Sequence, residues 1–160
     1  SPYAESKILE EDYIIKNLNQ NYYILRLGTI FGVSNGMRFH TAVNKFCYQA
    51  VMGLPITVWE TAIDQYRPYL EILDACRAIE FFIKNDKEHG VYNINSFNLT
   101  VREIIKEIEN NTDKLEIKFV KNKIMNQLSY FVSNEKAINS GFKFRGSLKD
   151  SIADTFRWFN

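Results

Sequence analysis

Apolar positions recur near helical spacing from the start of the chain. In SPYAESKILEEDYIIKNL they fall at Ile8, Leu9, Tyr13, Ile14, Ile15 and Leu18, with Glu10, Glu11, Asp12 and Lys16 between them. That period predicts an amphipathic helix. Ser1 followed by Pro2 is a suitable start: a hydroxyl to cap free N–H groups, then a ring that lacks one. The pattern then changes. Tyr22 to Thr29, YYILRLGT, is a short apolar and aromatic run that suits a strand buried on both faces, as in a parallel sheet. It passes into TIFGVSNG, read as a glycine-punctuated loop. The helical period returns from about Met37 to Met52 (Phe39, Val43, Phe46, Cys47, Ala50), and Gly53 closes it.

Further along, Ile56 to Trp59 and Tyr66 to Ile72 read as strands, and Asp74 as the cap of a helix running ACRAIEFFIK. Val91 to Ile94 is a strand before a turn. Thr100 and Glu103 form a capping box that opens helix 101–109. Leu115 to Val120 is another strand, followed by the lysine-rich loop KNKIMNQ. Residues 134–139 form a short helix. Ser147 caps the last one, LKDSIADTFRWF, where Leu148, Ile152, Phe156 and Phe159 share a face. Alternating strands and helices define an α/β class. The strands are few for the helices and several read as fully buried. The pattern therefore implies an incomplete parallel sheet, with an unpaired edge and uncovered apolar faces. Self-association, swapping of elements or origin in a larger molecule is the expected consequence.

Composition narrows the function. The 160 residues are 46% hydrophobic and 24% charged with net charge +1, which offers no electrostatic case for nucleic acid or an acidic membrane surface. No apolar run approaches the ~18 residues that span a bilayer, and no signal peptide is expected. Cys47 and Cys76 lack CxxC spacing, and His40 and His89 are the only histidines, so no metal site is expected. Two buried thiols in a reducing cytoplasm are the expectation. Most aromatics, among them Phe46, Phe81, Phe156 and Phe159, sit at core spacing and read as packing rather than as a stacking platform.

Tyr3 and Lys7 are four residues apart, so a helix puts a phenol and an ammonium on one face. A phenol titrates near ~10 and is a poor base at neutral pH. A neighbouring cation favours the phenolate. The pair could thus form an acid/base tyrosine tuned toward neutrality, and the lysine has spare donors for ribose hydroxyls.

SPYAESK resembles the YxxxK active-site helix of the short-chain dehydrogenases/reductases, and the rest resembles their extended branch, the NAD-dependent epimerase/dehydratase family. LRLGTIFG is similar to the strand leaving that helix. MRFHTAVNKFCYQAVMGLPITVW resembles the substrate-side helix and following strand. YRPYLEILDACRAI is similar to the R-(D/P)-(F/Y)-x-H-V-x-D-x-A-x-A-I block, and VYNINSFNLTVREIIKEI to the Y-N-x-G strand with its helix. GFKFRGSLKDSIADTFRWF resembles the closing segment. These blocks occur in the family's order over nearly the whole chain.

The resemblance implies the C-terminal part of a Rossmann-like fold: residues 1–36 as active-site helix and following strand, and 37–160 as mainly a small α/β substrate-binding lobe with returning elements. It implies hydride transfer between a sugar carbon and NAD or NADP, followed by epimerisation, dehydration or reduction. Tyr3 would be the acid/base, Lys7 would tune it and bind the nicotinamide ribose, and Thr29 and Ile30 would lie beside the nicotinamide. Arg67 corresponds to the arginine that grips nucleotide-sugar phosphates, a task suited to two parallel N–H bonds. Asn44 and Arg38 are further substrate-binding candidates. A homodimer in the cytoplasm, acting on a nucleotide sugar, is expected.

The departures are specific. No GxxGxxG or GxGxxG occurs, nor the acidic residue that would hold the adenosine ribose. Residue 1 therefore reads as a cut at the active-site helix of a longer protein, whose N-terminal half is missing here and without which the chain is expected to be inactive. Glu71 stands where histidine is common and would add negative charge near the phosphate. FGVSNG replaces the usual YGP, and Gln127 and Leu128 stand where another phosphate-binding arginine is frequent. The competing reading is a non-catalytic binding or scaffold module derived from the same fold.

Overall fold

The structure, a computed structural model, describes residues 1–18, 22–121 and 129–159. The segment holding Gln127, Leu128 and most of KNKIMNQ lies outside the described residues. Helix α1, Pro2–Asn17, begins as its sequence requires: Ser1 Oγ accepts the N–H of Ala4 at 3.4 Å, and Pro2 follows. None of its residues is buried. Ile8, Leu9, Tyr13, Ile15 and Leu18 are exposed and Ile14 is half-buried, so most of the apolar positions predicted from the period face solvent. What ties α1 down is Arg26, whose Nε donates to Glu11 at 2.9 Å.

The YYILRLGT run does not form one strand. It divides at Gly28 into β1 (Tyr23–Leu27) and β2 (Thr29–Phe31), which belong to different sheets. β1 pairs in parallel with β5 (Gly90–Ile94), Tyr23 opposite Gly90 and Leu27 opposite Ile94. β2 pairs in parallel with β4 (Arg67–Glu71), which is antiparallel to β6 (Phe97–Leu99). The break has a steric cause. A Cβ on Gly28 would lie 3.2 Å from Asn95 Cβ and from the Pro68 carbonyl. A side chain there would push these neighbours back by a few tenths of an ångström, so a glycine suits the close pass between the two sheets. β1 is half-buried with Arg26 and Leu27 exposed, against the expectation of burial on both faces.

A third parallel pair joins β3 (Ile56–Trp59) to β7 (Ile117–Val120). Helix α2 covers Ala42–Val51, with Thr41 at its cap position, so residues 37–41 are turns rather than the helix start their spacing suggested. Helix α3 covers Ile72–Lys84 and is capped by Glu71, whose carboxylate accepts the N–H groups of Leu73 (2.9 Å) and Asp74 (3.0 Å). Asp74 is therefore not the cap; it lies inside the first turn with its carboxylate turned elsewhere. Helix α4, Val101–Glu109, opens with the predicted Thr100–Glu103 capping box. Helix α5 covers Glu135–Asn139, and α6 covers Leu148–Phe159 with Ser147 Oγ accepting the N–H of Asp150.

Two apolar clusters hold these elements. One joins α2, α4 and α6 to β3 through Phe46, Cys47, Ile56, Ile104, Ile108, Ile152 and Phe156. The other packs α3 and α5 on the β1–β5 pair through Ala78, Phe82, Tyr92, Ile94 and Phe142. β4 serves both: Tyr69 belongs to the first cluster and Leu70 to the second, as alternation along a strand demands. Cys47 is buried as expected, but Cys76 is exposed on α3. Among the described residues no helix is long and apolar enough to cross a membrane, and no group of His, Cys, Asp and Glu is arranged to hold a metal.

Candidate functional site

Two clefts share His40 in their linings. The larger, about 510 Å3, is lined by Tyr3 of α1, by Thr29, Ile30 and Gly32 along and after β2, by Arg38 and His40 of the following turns, and by Asn44 of α2. Of the residues singled out in the sequence, Tyr3, Thr29, Ile30, Arg38 and Asn44 meet here. The site lies at the C-terminal ends of parallel strands, where open α/β sheets bind ligands. The smaller, about 250 Å3, has Phe46, Val58, Tyr69 and Val101 in its lining, with Trp59, Lys45, Gln65 and Arg67 around them. His40 lines both. The charged side chains in their linings are Arg38 in the larger cleft and Lys45 and Arg67 in the smaller.

Asn44 is buried and shapes the larger cleft from within. Its Oδ1 accepts the N–H of Gly32 at 3.1 Å and its Nδ2 donates to the carbonyl of Arg38 at 3.2 Å. Those bonds fix the two ends of the loop that forms the cleft wall. Gly32 has φ of +113°, in the left-handed region that favours glycine. The Arg38 side chain is exposed.

Tyr3 and Lys7 lie on one face of α1, as their spacing requires. Lys7 Nζ is 5.8 Å from the centre of the Tyr3 ring. The same Nζ donates to Glu10 Oε2 at 2.7 Å, and that hydrogen bond and charge hold the Lys7 pKa above its ordinary value. Lys7 itself does not line the cleft; the phenol does. Arg67, at the start of β4, lines the smaller cleft instead. Its guanidinium donates to Tyr66 O at 2.8 Å and Gln65 Oε1 at 3.0 Å and lies 4.9 Å from the centre of the Tyr130 ring. Glu71, expected to place a negative charge near the phosphate, is 5% exposed and uses its carboxylate to cap α3, with Oε1 3.5 Å from where a Cβ on Gly32 of the larger cleft would stand.

Two residues escaped the sequence reading. His40 was weighed there only as a metal ligand, and Trp59 only as a strand residue; both line clefts. Nothing local marks them, because their neighbours come from elements distant in the chain.

The fold is a mixed α/β arrangement with parallel sheets of the Rossmann-like kind, and solved structures share it. The RMD protein of Pseudomonas aeruginosa, solved with NADPH, superposes with a TM-score of 0.83 at 21% identity, over 99% of this chain and 56% of that one. The UDP-glucose 4-epimerase of Thermus thermophilus, solved with NAD, gives 0.82 at 21% identity, over 99% and 54%. The chain belongs to the NAD dependent epimerase/dehydratase family, which matches residues 1–95. The chloroplastic UDP-sulfoquinovose synthase of Spinacia oleracea is 39% identical over 56 residues, which is 35% of this chain and 11% of that protein. The UDP-sulfoquinovose synthase of Sulfolobus acidocaldarius is 32% identical over 54 residues, 34% and 14%. The chain thus spans about half the length of the solved structures it resembles, and its matched stretch is a small part of each curated relative.

Proposed function

We propose that this chain carries the acid/base tyrosine and the substrate-binding lobe of an NAD(P)-dependent enzyme that epimerises, dehydrates or reduces a nucleotide sugar. The observation that supports it most is the gathering of Tyr3, Thr29, Ile30, Arg38 and Asn44 around one cleft, with Arg67 in a second cleft joined to it at His40. Tyr3 exchanges a proton with a sugar hydroxyl at its phenolic oxygen. Lys7 adds positive charge on the same helix face. Thr29 and Ile30 wall the strand ends where the nicotinamide would rest. Arg67 takes the phosphates, Arg38 adds positive charge at the mouth, and Asn44 holds the wall that orients the sugar. NAD or NADP, when bound, supplies a hydride acceptor or donor for the sugar carbon.

The residues present fit the nicotinamide end of that cofactor, since Tyr3, Thr29 and Ile30 line one cleft at parallel strand ends. They do not fit its pyrophosphate, because the 160 residues contain no G-x-G-x-x-G turn. We assign that cradle to a further, N-terminal half of the same protein. The exposed apolar residues of α1 suit cover by that half and a homodimer, and the cytoplasm is the proposed location.

The test uses a protein uniting this chain with its dinucleotide-binding half. Tyr3→Phe lowers kcat by about 100-fold or more and leaves nucleotide-sugar affinity unchanged; an unaltered kcat removes Tyr3 from the chemistry. The 160-residue chain alone is expected to leave NAD and NADPH unbound at micromolar concentration in calorimetry, and tight binding there would contradict the assignment of the cradle elsewhere.

A further inference from the structure

The segment between β2 and α2, which walls the larger cleft, has little to hold it: no residue from Asn35 to His40 is buried. On the inner side Asn44 joins Gly32 to Arg38. On the outer side stands Phe39. Its chain neighbours Arg38 and His40 line the larger cleft, whereas Phe39 lines neither cleft. Its ring lies 5.2 Å from that of Tyr48 on α2 and 5.8 Å from that of Phe159 on α6. Tyr48 and Phe159 close the triangle, edge to face, at 5.5 Å, and neither of them lines a cleft. Aromatic pairs at such separations attract beyond the area they bury. The three corners differ in firmness. Phe159 is the last residue of a helix whose Ile152 and Phe156 sit in the first apolar cluster. The approach to that helix is bonded to the buried Asp74 through the N–H groups of Arg145 and Gly146. Phe159 is thus a fixed point, and Phe39 is the movable corner.

We propose that Phe159 is a positioning residue for the larger cleft: as the fixed corner of the ring triangle it holds Phe39 outward and so keeps the wall formed by residues 32–41 in its ligand-ready shape. That the ligand is a nucleotide sugar rests on the reading above; that Phe159 holds the wall does not. The role acts at a distance. Phe159 touches no ligand, and its effect reaches the cleft through Phe39 and the two residues that flank it.

Hydrogen exchange followed by mass spectrometry reads the wall directly, because amides exchange through local opening. The protein is the one uniting this chain with its dinucleotide-binding half. Phe159→Ala should speed exchange over residues 32–41 about fivefold, the worth of one lost aromatic pair, while exchange across α4 stays as it was. Phe159→Tyr keeps a ring and should restore the parent rate. Trp158→Ala, at the exposed neighbour, should leave the wall unchanged. Phe39→Ala should speed exchange at least as much as Phe159→Ala, and adding Phe159→Ala to it should change nothing further, since two partners of one contact are not additive. UDP-glucose is the probe of the cleft. Bound to the ordered wall, it should slow exchange over 32–41, and by a larger factor in Phe159→Ala than in the parent. Unchanged exchange in Phe159→Ala, or an acceleration shared by α4 or by Trp158→Ala, overturns the role of Phe159 and leaves the nucleotide-sugar reading standing. UDP-glucose that binds without slowing exchange of the wall overturns the link between Phe159 and the ligand. If UDP-glucose fails to bind the parent, the nucleotide-sugar reading falls, and the exchange rates of the free protein still decide whether Phe159 holds the wall.

Discussion

The Oδ2 of Asp74 accepts the backbone N–H of Gly146 at 2.9 Å, across 72 residues of chain. Its Oδ1 accepts the N–H of Arg145 at 2.9 Å and Arg77 Nη2 at 2.6 Å, and Ser96 Oγ donates to Oδ2 at 2.7 Å. One buried carboxylate thus binds the approach to α6 against the β4–α3 junction. A Cβ on Gly146 would lie 2.7 Å from Asp74 Oδ2 and 2.7 Å from Glu71 Cβ. Gly146→Ala must push this junction apart, and we expect it to cost about 1–3 kcal/mol. Thermal unfolding followed by circular dichroism measures it; an unchanged Tm would show that the junction yields freely.

The same carboxylate sets an acid sensitivity. Burial pushes the Asp74 pKa up, but the N–H of Arg145, the Arg77 guanidinium, the Ser96 hydroxyl and the N–H of Gly146 outweigh burial and hold it below the ordinary value. An unfolded aspartate titrates near ~3.9. A native pKa below that contributes stability that is present above the unfolded value and lost as pH falls through the native one. Asp74→Asn should therefore lower the urea midpoint more at pH 7 than at pH 3, the difference growing as pH falls further. An equal loss at both would place the effect in shape rather than charge.

The two cysteines should react differently. Cys47 is buried in the α2 core, and burial pushes its thiol up to about 12. Cys76 is exposed. Since the thiolate is the reactive form, a thiol reagent should label Cys76 alone in the native protein and both residues in denaturant. Cys76→Ser should abolish the native reaction; rapid labelling of that variant would show that α2 opens readily.

Asn44→Ala should both destabilise the chain and weaken ligand binding. It strips the N–H of Gly32 and the carbonyl of Arg38 of their shared partner. An unpaired buried group costs about 1–3 kcal/mol. Urea unfolding measures the first effect and UDP-glucose titration the second. Loss of stability with full affinity would mean that the loop reaches its bound shape without Asn44.

Features settled within a few residues were readable before any tertiary contact. The Thr100–Glu103 box, the Ser1–Pro2 start and the Ser147 cap are satisfied by neighbours in the chain, and all occur as read. The errors have one character. YYILRLGT is continuously apolar, and only the close pass of Pro68 and Asn95 turns Gly28 into a break. Asp74 has the chemistry of a cap, but Glu71 sits nearer the first free N–H groups, and Asp74 finds its donors at Arg145, Gly146, Arg77 and Ser96. β6 has three residues and exists by pairing antiparallel to β4.

For the site, the spacing of Tyr3 and Lys7 was legible because a helix makes neighbours of residues four apart. That Lys7 also holds Glu10, that Arg67 opens into a different cleft from Tyr3, and that His40 touches both were not. The order of polar and apolar residues by itself determined the helices, most of the strands and the α/β class, since each follows from backbone geometry over a turn or two. Which side chains share a cavity, and which carboxylates serve the structure rather than a ligand, only the tertiary structure decided. Those relations depend on distances between segments far apart in the chain, and no local period carries them.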